Sequence, residues 1–95
     1  MKHKHFYVVT YDIGDTKRRD KVMKIMESVG TRMNYSVFEC MLTTIQYNNL
    51  IKRLEKLVVV REDWINIYPV CTTCYAHIQY IPKLSRKEPV KIVVI

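Results

Sequence analysis

Phe6-Tyr-Val-Val-Thr-Tyr11 is an unbroken run of β-favouring residues without polar alternation. A strand with one solvated face alternates. A strand apolar on both sides is a central one, covered on each face or seated against a partner. The run therefore predicts a central strand over His5–Tyr11, and the rest of the chain must supply its covers. It leaves through Asp12-Ile-Gly14, where Gly14 permits a turn that other residues resist. Asp15 is a good N-cap for a helix running to about Val29. In that helix Val22, Ile25, Met26 and Val29 recur at i, i+3, i+4 and i+7, which is one apolar stripe. Gly30 is the helix stop.

Thr31 to Leu42 is β-like again, either as one long strand or as a tight hairpin near Asn34 to Ser36. Alternation sets Ser36, Phe38, Cys40 and Leu42 against Tyr35, Val37, Glu39 and Met41. Thr43-Thr-Ile-Gln46 matches a capping box. The helix behind it carries Tyr47, Leu50, Ile51, Leu54 and Leu57 on one stripe and ends near Val58-Val-Val60. Arg61-Glu-Asp63 reads as a polar turn. Trp64 to Val70 alternates as a strand that Pro69 confines to an edge or to its own end. Cys71 to Cys74 is a connection, and Tyr75 to Ile81 reads as a further short strand. Pro82 to Pro89 is a basic loop. Val90 to Ile95 is a β-prone terminal strand expected to pair, with another subunit as the natural acceptor. The order β-α-β(β)-α-β-β-β predicts one α+β domain over residues 1–95, a ferredoxin-like sandwich with both helices on one face of an antiparallel sheet.

A chain of 95 residues allows one modest core, and association would help it. Sixteen Lys and Arg against nine Asp and Glu give a net charge of +7. That excess points to a polyanionic partner, DNA or RNA first. No stretch approaches the ~20 apolar residues of a membrane span, and the apolar run after the basic start is too short for a signal peptide. A cytoplasmic protein with no membrane partner is expected. Its three cysteines, Cys40, Cys71 and Cys74, are then mostly reduced.

Asp12 and Asp15 are followed at once by Lys17, Arg18, Arg19 and Lys21. Cations in the first turn of a helix oppose its dipole, so a purpose other than helix stability is expected for them. A carboxylate at a strand end beside such a cluster suits a divalent ion and a phosphate together. One carboxylate is a weak site for Mg²⁺, which wants octahedral oxygen ligation. A second Asp12 across a dimer axis would complete a shared site, and the ion could then activate water and neutralise a scissile phosphate. Arg18, Arg19 and Arg32 would bind phosphate or developing charge. Tyr11, Tyr35 and Phe38 are candidates for stacking on bases, with core packing as the alternative. The bland alternative for the two acids is a turn residue and a cap.

Cys71-x-x-Cys74 with His77 is half a zinc site, and Cys40, His3 and His5 are the only other soft ligands. A redox dithiol usually follows a strand and opens a helix. This one is expected to precede a strand, so it reads as an ordinary turn. Ferredoxin-like metal carriers place their cysteines in the first strand-to-helix loop, which here is Asp12-Ile-Gly-Asp15. Met23, Met26 and Met33 read as core or interface filler.

Taken in order, Tyr11-Asp-Ile-Gly-Asp15, Lys17-Arg-Arg-Asp-Lys-Val22, Gly30-Thr-Arg32 and Ser36-Val-Phe-Glu39 resemble the CRISPR-associated protein two family, the small subunit of the spacer-acquisition machinery. The likeness extends through Arg61-Glu-Asp63, Trp64 to Val70 and the Cys71 to Cys74 turn, and weakens after about Tyr80. It implies a ferredoxin-like homodimer whose C-terminal strands cross to the partner. It implies that Asp12 of each subunit faces a shared Mg²⁺ or Mn²⁺ site at the dimer cleft. Around that cleft it implies Tyr11, Arg18 or Arg19, Arg32, Ser36 and Phe38. It also implies a nuclease acting on single-stranded RNA or double-stranded DNA, and a central dimer that bridges two copies of the CRISPR integrase. Asn34 stands where many members have Gln, and the Pro82 to Pro89 segment has no counterpart. The alternatives are a non-catalytic architectural DNA-binding dimer and a toxin-like ribonuclease of the virulence-associated protein D type, whose fold is similar.

Overall fold

The computed structural model describes residues 3–83. The elements are β1 (His5–Asp12), α1 (Thr16–Val29), β2 (Gly30–Asn34), β3 (Val37–Leu42), α2 (Thr44–Glu55), β4 (Trp64–Val70) and α3 (Thr72–Ala76). They build one four-stranded sheet in the order β2-β3-β1-β4. Every pairing in it is antiparallel. β1 is central, as its two-sided apolar run requires. Both long helices pack on one face, where Tyr7, Val9, Tyr11, Phe38, Cys40 and Leu42 of the sheet join Val22 and Met26 of α1 and Leu50 and Leu54 of α2 in one buried cluster. This is the ferredoxin-like arrangement.

The other residues of β1 explain why the run does not alternate. Phe6, Val8, Thr10 and Asp12 point away from the helices and lie opposite Val70, Tyr68, Asn66 and Trp64 of β4. Phe6 is buried there because the Tyr75 ring of α3 lies over it, 4.7 Å between centroids. Toward the other end this face is open: Trp64 is 48% and Tyr68 52% exposed.

The local signals act where the sequence puts them. Asp15 caps α1, accepting from the Arg18 N–H at 3.0 Å. The capping box before α2 is complete: Gln46 N–H donates to the Thr43 hydroxyl and Thr43 N–H to the Gln46 side chain. Gly30 ends α1, but in an extended conformation (φ −154°, ψ −176°). Its need is space, since a Cβ would meet the Glu39 carbonyl oxygen at 2.6 Å and Cys40 Sγ at 2.7 Å. Gly14 likewise has no positive φ; a Cβ there would come to 3.3 Å from Cβ of Glu62.

The structure settles one open choice and corrects one expectation. Residues 31–42 form a hairpin, with the turn at Tyr35 and Ser36. The strand expected over Tyr75 to Ile81 does not form: the chain turns into α3 directly after β4. Tyr75 N–H donates to the Cys71 carbonyl at 2.8 Å and His77 N–H to that of Cys74 at 3.0 Å, so the backbone is satisfied locally while the Tyr75 ring covers Phe6. The alternation of Ala76, Ile78 and Tyr80 was too short to separate strand from coil. The expected terminal strand over Val90 to Ile95 lies outside the described residues. Among the described residues no helix is long and apolar enough to cross a membrane.

Candidate nucleic-acid and metal site at the end of the central strand

β1 ends at Asp12, and the β1–α1 turn, the start of α1, the β2–β3 hairpin tip and the start of β4 meet around it. They enclose an open cleft of about 600 Å³. Tyr11, Asp12, Arg19, Arg32, Tyr35 and Ser36 all line it, so six of the candidate residues singled out in the sequence come together. They reach it from β1, α1 and the hairpin, which only the fold brings side by side. Asp20, Met23 and Trp64 complete the wall together with Ile13.

Asp12 is exposed and lies directly opposite Trp64 in the ladder. Its side chain makes no hydrogen bond or ion pair among the described residues, and thus keeps its lone pairs for a ligand. The two arginines are held in place by backbone carbonyls. Nε and Nη2 of Arg19 both donate to the Ile13 carbonyl at 3.2 Å. Arg32 donates from Nη2 to the Tyr35 carbonyl at 3.0 Å and from Nε to that of Asn34 at 3.3 Å. Each guanidinium has five N–H donors, so about three remain for an anion. The Tyr11 hydroxyl also donates to the Tyr35 carbonyl, at 3.3 Å. Burial pushes the Tyr11 phenol above its ordinary pKa, with Arg32 and Arg19 opposing that shift. At neutral pH it is a donor and not a base.

Four of the expected site residues stand elsewhere. Phe38 is fully buried in the core, stacked beneath Tyr11 with ring centroids 6.3 Å apart, and no base can reach it. The exposed rings at the cleft are Tyr35 (83%) and Trp64 (48%). Lys17 and Lys21 are exposed on α1 but do not line the cleft. With Lys24 they recur at helical spacing, i, i+4 and i+7, and form one basic ridge. Arg18 is taken up by tertiary structure: its Nε donates to Asp63 Oδ2 at 2.9 Å, and its Nη2 to Asp63 Oδ1 at 3.2 Å and to Glu62 Oε1 at 3.3 Å. The unfavourable first-turn placement of Arg18 thus serves the chain's own carboxylates.

Asp63 is the residue that reading for local pattern missed. Its side chain is buried and accepts from Gly14 N–H at 2.9 Å, Val59 N–H at 2.8 Å and the Arg18 guanidinium. The Arg18 hydrogen bond, aided by those two backbone N–H groups, lowers its pKa from 3.8 to about 2. One carboxylate thereby ties the turn after Asp12 to the segment before β4, and so ties both walls beside Asp12 together. Nothing in Arg61-Glu-Asp63 distinguishes this role from a solvated turn, because Gly14 and Arg18 lie more than forty positions away. Trp64 had a signal: with Asn66 and Tyr68 it fell on the polar side of an alternating strand, where an aromatic residue is out of place.

Comparison with known proteins identifies the family. The family model described as CRISPR associated protein Cas2 matches residues 5–78. A Synechocystis protein named CRISPR-associated endoribonuclease Cas2 3 is 45% identical over 64 residues, which are 67% of this chain and 70% of the relative. A Rhodospirillum rubrum protein, CRISPR-associated endoribonuclease Cas2 4, is 43% identical over 74% of this chain, and the match spans only 56% of that longer relative. The crystal structure of Streptococcus pyogenes Cas2 superposes with a TM-score of 0.69 at 27% identity, covering 79% of this chain and 96% of that one. With the match running from the first residue of β1 through α3, the chain belongs to the CRISPR associated protein Cas2 family.

Proposed function

We propose that the chain is a cytoplasmic CRISPR adaptation protein that works as a symmetric homodimer, binds nucleic acid and hydrolyses phosphodiester bonds at the Asp12 cleft. The single observation that supports this best is the exposed carboxylate of Asp12 set between two carbonyl-anchored arginines, Arg19 and Arg32. The names of the relatives, endoribonucleases, favour RNA as one substrate, with double-stranded DNA as the other candidate.

The donor set suits a hard divalent ion, Mg²⁺ or Mn²⁺. Among the described residues no three of His, Cys, Asp and Glu are placed to hold a metal. Within one chain the cleft offers only the carboxylates of Asp12 and Asp20 among the described residues, and the Asp12 of a second copy would supply a further one. Mg²⁺ usually keeps several waters and takes one or two carboxylates plus phosphate oxygens. Bound there, the ion would supply charge neutralisation at the scissile phosphate and a more acidic water. The protein's own part is positional. Arg19 and Arg32 hold phosphate oxygens with their remaining N–H groups. Tyr35 and Trp64 offer faces on which unpaired bases stack. Tyr11 keeps the hairpin tip, and with it Arg32, at a fixed distance from Asp12.

A second reading has its own observation. The Lys17, Lys21 and Lys24 ridge lies apart from the cleft, and it suits the backbone of a duplex held between integrase subunits in an architectural, non-catalytic role. Cleavage of RNA and DNA with Mg²⁺ or Mn²⁺, with a chelator control, separates the two. Asp12→Asn is expected to abolish cleavage while leaving salt-dependent binding intact, log affinity falling by about 0.9 per released phosphate contact against log salt. Cleavage by Asp12→Asn at the parental rate refutes the role of Asp12. A parent that binds without cutting under either metal leaves the architectural reading. Co-purification with the integrase subunit tests the bridging role.

A further inference from the structure

Cys71 and Cys74 have no part in the Asp12 cleft. A redox dithiol belongs after a strand and at the opening of a helical turn, and the fold puts this pair there: β4 ends at Val70, Cys71 is the N-cap of α3, and Cys74 lies in its first turn. Both thiols are exposed. The Cys74 N–H donates to Cys71 Sγ at 3.4 Å. The pair is asymmetric. The Cys74 N–H, the Cys74 thiol and the Thr73 N–H all favour a Cys71 thiolate and hold it below the ordinary thiol range. The neighbouring Cys71 pushes Cys74 the other way. Cys40, by contrast, is fully buried, and burial pushes its thiol up to about 12. The chain thus carries one exchangeable pair and one inert thiol.

A metal is the rival occupant. A structural zinc takes four ligands. His77 is the nearest third donor in sequence, but its Nδ1 lies 2.7 Å from the Thr73 carbonyl oxygen, and no three-ligand group forms among the described residues. Two exposed thiols three positions apart, with no third ligand beside them among the described residues, favour dithiol exchange.

We propose that Cys71 and Cys74 form a reversible redox site that takes small disulfides of the glutathione class, with Cys71 as the attacking sulfur. The Cys71 thiol gives its proton to water, and the thiolate attacks one sulfur of oxidised glutathione. That S–S bond breaks, and the leaving thiolate takes up a proton. Cys74 then loses its proton and attacks Cys71 Sγ in the mixed disulfide. The Cys71–Cys74 bond forms and the second glutathione leaves. The chain gives up two electrons and two protons, and one glutathione disulfide becomes two thiols. The new bond staples the turn that carries Tyr75 onto Phe6.

The test treats the full chain with oxidised glutathione and follows it by intact-mass and peptide mass spectrometry. The parent is expected to lose the mass of two hydrogen atoms, located to a Cys71–Cys74 bond that dithiothreitol reverses. Cys40 is expected to stay free for alkylation after unfolding. Cys74→Ser should gather a glutathione adduct on Cys71 roughly tenfold faster than Cys71→Ser gathers one on Cys74. Both substitutions are at exposed positions. Equal adduct rates in the two variants, or a parent that ends with two adducts and no internal bond, overturns the proposal. So does stoichiometric zinc in the purified protein that blocks the reaction until it is chelated.

Discussion

Gly30→Ala tests how the core-facing hairpin is packed against the end of α1. Gly30 lies opposite Cys40 in the ladder, where α1 hands over to β2. An alanine Cβ would sit 2.6 Å from the Glu39 carbonyl oxygen and 2.7 Å from Cys40 Sγ, against an ordinary contact of 3.4–4 Å. Something must therefore move by nearly an ångström. The Glu39 carbonyl belongs to β3, which is paired on both sides, so it cannot shift without disturbing two ladders. Cys40 is fully buried and has no room to turn away. Backbone conformation is not the obstacle, because the extended φ and ψ of Gly30 suit any residue. Alanine would even gain about 0.4–1 kcal/mol by restricting the unfolded chain. Overpacking costs about 1–3 kcal/mol, and contact with backbone places this case at the upper end. The clash wins, and the net loss is about 2 kcal/mol. At about 4–8 °C per kcal/mol for a domain of this size, Tm should fall by about 8–16 °C. Thermal melts followed by circular dichroism at one fixed protein concentration measure it, since self-association would otherwise shift Tm. A variant melting at or above the parent refutes the claim that Gly30 is there for space.

Two further expectations concern residues whose roles the fold reassigned. Asp63 has its folded pKa lowered from 3.8 to about 2. Its contribution is therefore complete above about pH 4 and is lost as pH falls through about 2. Acid unfolding of the parent should steepen across that window, and Asp63→Asn should be less stable at neutral pH and flatter below pH 4; equal slopes would sink the assignment. Phe38→Leu should cost about 1–2 kcal/mol of stability through lost core packing and leave nucleic-acid affinity unchanged. Trp64→Ala should do the reverse, weakening single-strand binding by about 1–3 kcal/mol with little change in Tm. Fluorescence-anisotropy titrations beside thermal melts separate the two, and a Phe38 variant that binds as poorly as the Trp64 variant contradicts the burial of Phe38.

Local chemistry was legible wherever its cause was local. The apolar run of β1, the Asp15 cap, the stripes of α1 and α2 and the Thr43 capping box each depend on residues within a few positions of one another, and each stands as the sequence predicts. Asp12 and the arginine cluster were visible for the same reason. What stayed hidden depends on distance along the chain. Arg18 looked like a phosphate ligand until Asp63, 45 residues away, was seen to hold it. Phe38 could be a stacking ring or a core residue because neither face of its strand was polar, and only the α1 and α2 packing decides that its side is the core. The pattern of Tyr75 to Ile81 suited a strand, yet α3 forms because a ring on β1 waits for Tyr75. Residue spacing thus determined the long elements and the order that makes the sandwich, and it left Asp12 open as a ligand or a turn residue. Tertiary structure decided which cations remain available to a ligand. A guanidinium is attracted to any carboxylate within reach, and which carboxylate comes within reach is set by packing and not by sequence separation.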